Sequence, residues 1–219
     1  MRLYIKDFPS LESFPHEGLP SNLEEMTLNN CFKLKSFPGN MHMMSSFRSL
    51  HIEDCIRIES FDGGLPSNLE EMTLINCSKL ESLPRNMHML SSLRRLDIKD
   101  CSSLELFPNE VLPANMENLE IINYSRLIGS LKGTLGDSSS LESLCIEELD
   151  AKCISEEGLL PLSLTSLMIH NGPNLENLDY KGLYQLSFLK RLSLLNCPNL
   201  QRLPVEGLPK SILYLQRNC

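Results

Sequence analysis

The sequence predicts an α/β repeat solenoid: a right-handed arc with a concave parallel β-sheet and a mostly irregular convex side. Three observations predict it. Residues 18–28, Gly-Leu-Pro-Ser-Asn-Leu-Glu-Glu-Met-Thr-Leu, recur unchanged at 64–74. Asn40-Met-His-Met and Asn86-Met-His-Met repeat at the same 46-residue offset, so a two-coil unit has been duplicated. Within each unit runs a shorter pattern, Leu-x-x-Leu-x-Leu-x-x-Cys, closed by a Leu-Pro or Phe-Pro pair. Self-similarity at this period is the mark of leucine-rich repeats, whose units span roughly 20–29 residues.

With the first Leu as position 1, coils begin at Leu23, Phe47, Leu69, Leu93, Met116, Leu141, Leu164, Leu189 and, less regularly, Ile212. Position 4 is Met26, Leu50, Met72, Leu96, Leu119, Leu144, Leu167 and Leu192, and position 6 is Leu or Ile throughout, from Leu28 to Leu194. Apolar residues two apart, with polar residues between them, describe a strand with one buried face. A single such strand cannot bury that face alone, so neighbouring coils must stack into a parallel sheet.

After position 9 the chain turns inward again at Leu34, Leu80, Leu104, Leu175 and Leu200. Phe14-Pro15, Phe37-Pro38, Leu83-Pro84, Phe107-Pro108 and Leu203-Pro204 then close the coil. Proline fixes φ and lacks an N–H, which argues against a second ladder on the return path. That path is short where it reads Gly-Leu-Pro. It is longer at Met87-His-Met-Leu-Ser-Ser, where one helical turn is expected.

The expected organisation is one leucine-rich-repeat domain over 1–219, about nine to ten coils, with irregular insertions near 128–140 and 150–163. Both ends are incomplete: Leu3, Ile5 and Phe8 fit positions 4, 6 and 9 of a coil that lacks its start, and the last coil stops short. Neither end carries the polar cap that a solenoid requires. The chain is therefore expected to be a piece of a longer protein.

Composition excludes several function classes. The net charge is −8, with no clustered Lys and Arg, which disfavours nucleic acid and anionic lipid as partners. No apolar run approaches the ~20 residues needed to span a bilayer, and residues 1–20 carry no signal-peptide stretch.

Five of the eight cysteines, Cys31, Cys55, Cys77, Cys101 and Cys197, occupy position 9, where a small buried side chain packs in the turn. Zinc would need closely spaced pairs, which are missing, and inter-coil disulfides would need a secretory route. A reduced, cytoplasmic setting follows. His42 and His88 are duplicates on the return path; His51 and His170 lie on the concave face in distant coils. Gly129, Gly133 and Gly136 lack the Gly-Lys-Ser/Thr of a phosphate loop. The sequons at Asn76 and Asn123 fall at position 8, which also holds Asp7, Asn30, Asp54, Asp100, Asn171 and Asn196. Asn and Asp belong there because their side chains satisfy backbone N–H groups in turns. No catalytic constellation stands out, so no enzyme activity, cofactor or metal is expected.

Side chains at positions 3, 5, 7 and 8 project from the concave sheet. Most are polar, such as Glu25, Thr27 and Asn29, or Arg95, Asp97 and Lys99. The C-terminal half departs from this with Ile122, Cys145, Met168 and Leu195 at positions 7, 5, 5 and 7, and with His170 and Arg191 among them. Exposed apolar groups with a polar rim mark a partner surface. Long neighbours or the loops near 129–137 and 151–160 would instead cover them. These six residues form the candidate partner-binding site.

Leu69-Glu-Glu-Met-Thr-Leu-Ile-Asn-Cys-Ser-Lys-Leu-Glu-Ser-Leu-Pro and Asn196-Cys-Pro-Asn-Leu-Gln-Arg-Leu-Pro resemble the C-terminal repeats of plant intracellular nucleotide-binding leucine-rich-repeat disease resistance proteins, coiled-coil class. The alternation of Gly-Leu-Pro coils with Leu-Ser-Ser-Leu coils is similar too, and the likeness covers nearly the whole chain. The resemblance implies effector sensing and autoinhibition in innate immunity. The implied partner is a pathogen effector, a guarded host protein or the receptor's own nucleotide-binding domain. Two other classes share parts of the pattern: substrate-recognition repeats of a ubiquitin-ligase adaptor, and bacterial leucine-rich effectors. An extracellular receptor would instead favour Asn at position 9 and a Gly-x-Ile-Pro turn.

Overall fold

Alternation at positions 4 and 6 produces the strands in the computed structural model. It describes all residues except 16–17, 62, 85, 105–111, 124–134, 136–139, 155–159, 179, 201–202, 204–207 and 219. The chain forms two compact units, Met1–Met116 and Glu117–Cys219. Both are leucine-rich-repeat solenoid.

In the first unit, five parallel strands follow one another in chain order: β1 (Arg2–Lys6), β2 (Glu25–Asn29), β3 (Ser49–Glu53), β4 (Glu71–Ile75) and β5 (Arg95–Lys99). The register joins like to like. Leu3, Met26, Leu50, Met72 and Leu96 form one row, and Ile5, Leu28, Ile52, Leu74 and Ile98 the next. All but the two β1 residues are buried. Each fully buried Leu or Ile contributes roughly 1.5–3 kcal/mol relative to exposure. Leu34, Ile58 and Leu80 fill the interior behind the sheet, and the Phe37 and Phe61 rings stack 4.9 Å apart.

In the second unit, β6 (Asn118–Ile122), β7 (Ser143–Glu147), β9 (Ser166–His170), β11 (Arg191–Leu195) and β12 (Tyr214–Asn218) pair in parallel in that order. The rows run Leu119, Leu144, Leu167, Leu192, Leu215 and Ile121, Ile146, Ile169, Leu194, Arg217. The coil at Ile212 is thus in phase despite its weak pattern. Arg217 stands in a Leu/Ile row, and its Nη2 donates to the Leu200 carbonyl at 2.6 Å.

Position 8 has a physical role beyond the turn bonds expected from sequence. Asp7, Asn30, Asp54, Asn76, Asp100, Asn123, Glu148, Asn171 and Asn196 all have φ between 51° and 60°. Asn and Asp tolerate this left-handed conformation better than other non-glycine residues. Their side chains also bond coil to coil: Asn30 Nδ2 to Asp7 Oδ1 at 2.6 Å, Asn76 to Asp54 at 2.7 Å, and Asn196 to Asn171 at 2.8 Å.

Cysteines of the position-9 column are buried thiols, each directed at the position-7 carbonyl of its own coil, as Cys101 to Lys99 at 3.3 Å and Cys55 to Glu53 at 3.4 Å. Burial pushes the Cys55 thiol up to about 12. Cys77 is raised as well, first by its hydrogen bond with Cys101 and then by burial.

The return side follows the expected division in part. Met41–Met43 and Met87–Met89 each make one 3₁₀ turn, as the longer path predicts. The expectation that no second ladder forms there needs correction: β8 (Cys153–Ile154) pairs in parallel with β10 (Asn177–Leu178), just before the short helix α1 (Tyr180–Tyr184). In these two coils Ser155 and Asp179 stand where proline follows Phe14, Phe37, Leu83 and Leu203, which lifts one obstacle to pairing; Phe61-Asp62 lacks that proline too. Most of the predicted insertion near 128–140, residues 155–159 of the one near 150–163, the Phe107-Pro108 closure, and Gly129, Gly133 and Gly136 lie outside the described residues.

Candidate recognition face

Because the strand period is two, residues that alternate with the buried rows of the second unit must share its opposite face. Position 5 supplies Glu120, Cys145, Met168, Ser193 and Gln216; position 7 supplies Ile122, Glu147, His170, Leu195 and Asn218. Position 3 supplies Asn118, Ser143, Ser166, Arg191 and Tyr214.

All six predicted site residues fall on this face. Cys145 and Met168 are register partners on β7 and β9, and His170 and Leu195 are partners on β9 and β11. Ile122 is the partner of Glu147 on β7. Met168 and His170 are two apart on one strand, so they stand side by side. Arg191 and Leu195 occupy the two ends of β11 with Ser193 between them.

Their exposure is graded. Ile122, Cys145, Met168, His170 and Leu195 are half-buried, and Arg191 is exposed. The apolar groups are therefore shielded in part. Ser193 is buried at the centre of the group, with its Oγ 3.4 Å from His170 Nε2. Arg191 lies over the Tyr214 ring at 5.0 Å from the centroid, a cation–π contact. Glu147 accepts from Asn171 Nδ2 at 2.8 Å, which fixes one polar border.

The same face of the first unit is chemically different. Arg2 pairs with Glu25 at 3.1 Å, and Arg95 with Asp97 at 3.0 Å. At the strand entry Arg48 pairs with Glu70 at 2.7 Å. His51 and Asn29 both approach Glu53. These charges answer one another within the unit; the solvent-facing pairs Arg2–Glu25 and Arg48–Glu70 add little stability, whereas Asp97 is buried. An apolar group recurs on this face only at Ile75 and Tyr4.

Among the described residues, no group of three or more His, Cys, Asp or Glu is arranged to hold a metal ion. No described helix is long and apolar enough to cross a membrane.

No protein-family model matches the chain. It is 33% identical over 199 residues to a protein of Arabidopsis thaliana named as a disease resistance protein. That alignment covers 90% of this chain, which spans 11% of the relative's length. Among solved structures, the leucine-rich-repeat domain of the type III effector XopL matches 98% of this chain and 75% of its own, with a TM-score of 0.70 and 22% identity. This second likeness is one of fold.

Proposed function

We propose that this chain is a protein-recognition module which senses a pathogen effector or a guarded host protein in plant innate immunity. In the same reading it restrains the nucleotide-binding domain of a longer cytoplasmic receptor. The observation that carries the reading is the grouping of Ile122, Cys145, Met168 and Leu195 on the outward rows of β6, β7, β9 and β11. Apolar side chains on that face do nothing for the core, and a binding partner would remove them from water. Likeness to the disease resistance protein supports the immune setting. A leucine-rich-repeat scaffold suits binding rather than chemistry, since its repeats build an extended surface without a closed pocket.

The test is capture by the intact parent protein, comparing wild type with Met168→Glu combined with Leu195→Glu. The reading expects a partner protein retained by wild type and lost by the double variant, with an unchanged circular dichroism melt. Identical partners for both would refute this site. Release of the nucleotide-binding domain, measured as constitutive signalling in the double variant, would assign the face to autoinhibition.

A further inference from the structure

At the entry edge of the second unit the repeat breaks its own rule. Position 0 is Asn22, Ser46, Asn68, Ser92, Asn115, Ser140, Ser163 and Ser211, but Phe188 in the coil of β11. Asn or Ser has a job at this position. Asn68 Nδ2 donates to the Phe47 carbonyl at 2.7 Å, Ser163 Oγ to Leu141 at 2.7 Å, and Ser211 Oγ to Leu189 at 2.8 Å. Phe188 gives up that inter-coil bond and gains no burial, since its side chain is 62% exposed. One coil back, Leu162 replaces the Ser or Ala found at position −1 in most coils and is also exposed.

Position 2 departs in the same place. Glu24, Arg48, Glu70, Arg94, Glu117 and Glu142 give way to Thr165, Lys190 and Leu213. Leu213 stands at a position that is exposed in other coils too, at Glu24, Arg48, Arg94 and Lys190. Its N–H bonds the Lys190 carbonyl at 2.8 Å, so Lys190 and Leu213 are immediate neighbours across the coils. Beside them Arg191 covers Tyr214, and the exposed Lys210 begins the same turn. Among the described residues Lys190, Arg191 and Lys210 have no carboxylate partner. The nearest acid along row 2 is Glu142, two coils from Lys190. In a chain of net charge −8, this edge is locally cationic and aromatic.

We infer that the entry edge formed by Phe188, Lys190, Arg191, Lys210, Leu213 and Tyr214 docks a protein segment that presents apolar side chains flanked by carboxylates. The chemistry is complementary on both counts. Phe188 and Leu213 offer apolar contact that water leaves uncompensated, and the three unpaired cations sit at the rim, where they steer an acidic partner and reject a basic one. A membrane surface fits less well, because anionic lipid is held by clusters of four to eight Lys or Arg rather than three on an acidic chain. The inference rests on the proposal that the chain recognises proteins, but it uses an edge next to the Met168–Leu195 face and shares only Arg191 and Tyr214 with it.

The probe is a short fluorescent peptide of leucine and phenylalanine flanked by glutamates, compared with the same peptide carrying lysines and with phosphatidylserine vesicles. Anisotropy should show binding of the acidic peptide, weakening as salt rises, and at least about ten-fold weaker binding of the lysine peptide. Phe188→Ser, which restores the residue type of the other coils, should lower affinity about ten-fold, and Lys190→Glu with Lys210→Glu should do the same. Each substitution is at an exposed position, and an unchanged melt confirms folding. Met168→Glu with Leu195→Glu should leave peptide binding intact, which separates failure of this edge from failure of the neighbouring face. Equal binding of both peptides, no binding of the acidic one, or vesicle binding stronger than peptide binding overturns the inference.

Discussion

The side-chain amide of Asn86 brackets the backbone of Leu65, donating from Nδ2 to the Leu65 carbonyl at 2.7 Å and accepting the Leu65 N–H at 3.2 Å. Gly64, just before it, has φ +69°, and a Cβ there would lie 3.1 Å from Asn86 Oδ1. The duplicated pair is looser. Asn40 Nδ2 reaches the Leu19 carbonyl at 3.5 Å, and its buried Oδ1 has no partner. One sequence motif thus makes a tight clamp in one copy and a slack one in the other.

Removing the tight clamp should cost more than removing the slack one. Asn86→Ala is expected to destabilise by about 1–3 kcal/mol, because it strips partners from two backbone groups of a buried residue. Asn40→Ala should be close to neutral, since it also removes an unsatisfied oxygen. Urea denaturation of the two variants reads the difference.

Core rows should be intolerant of truncation. Leu74 and Leu96 are 0% exposed, on β4 and β5. Leu→Ala at either is expected to cost on the order of 2–5 kcal/mol, measured by denaturant midpoint.

The cysteine column gives the fold an alkaline limit. Cys55 ionises near 9.0 when unconstrained and is pushed up to about 12 by burial, so the unfolded state loses its proton first. The associated stability is intact below pH 9 and is lost as pH rises from 9 towards 12. Wild type should therefore lose melting temperature over that window more steeply than Cys55→Ala.

Sequence columns carried most of this structure because strand burial has a period of two and coil stacking repeats it. The irregular coil beginning at Ile212 also carries a strand, β12, although Arg217 occupies its core row. What the columns do not encode is backbone conformation. Asn and Asp at position 8 suggested local turn bonds, whereas the structure uses their tolerance of positive φ and links their side chains between coils. Glu148 adopts the same φ without belonging to either type, which no composition rule anticipates. The β8–β10 ladder departs from the proline closure of other coils, since Ile154 and Leu178 are followed by Ser and Asp.

The six site residues were legible as a group because odd positions share one face. Their exposure was left open between a free and a covered face, since it depends on packing; five of the six are half-buried and Arg191 is exposed. The Phe188 edge was readable in principle from the break in the Asn/Ser column. Position 0 lies outside the repeat consensus of Leu and Cys, so that break stands apart from the columns that define the fold.

The most direct test of the account is hydroxyl-radical footprinting of the intact protein, free and bound to its captured partner. Sulfur side chains oxidise readily, so Met168 and Cys145 report on the proposed face, while Met43 and Met89, exposed on the return side at 73% and 60%, serve as internal references. The account predicts that partner binding suppresses oxidation of Met168 and Cys145 and leaves Met43 and Met89 unchanged. Suppression at Met43 and Met89, with Met168 oxidised as in the free protein, would contradict it.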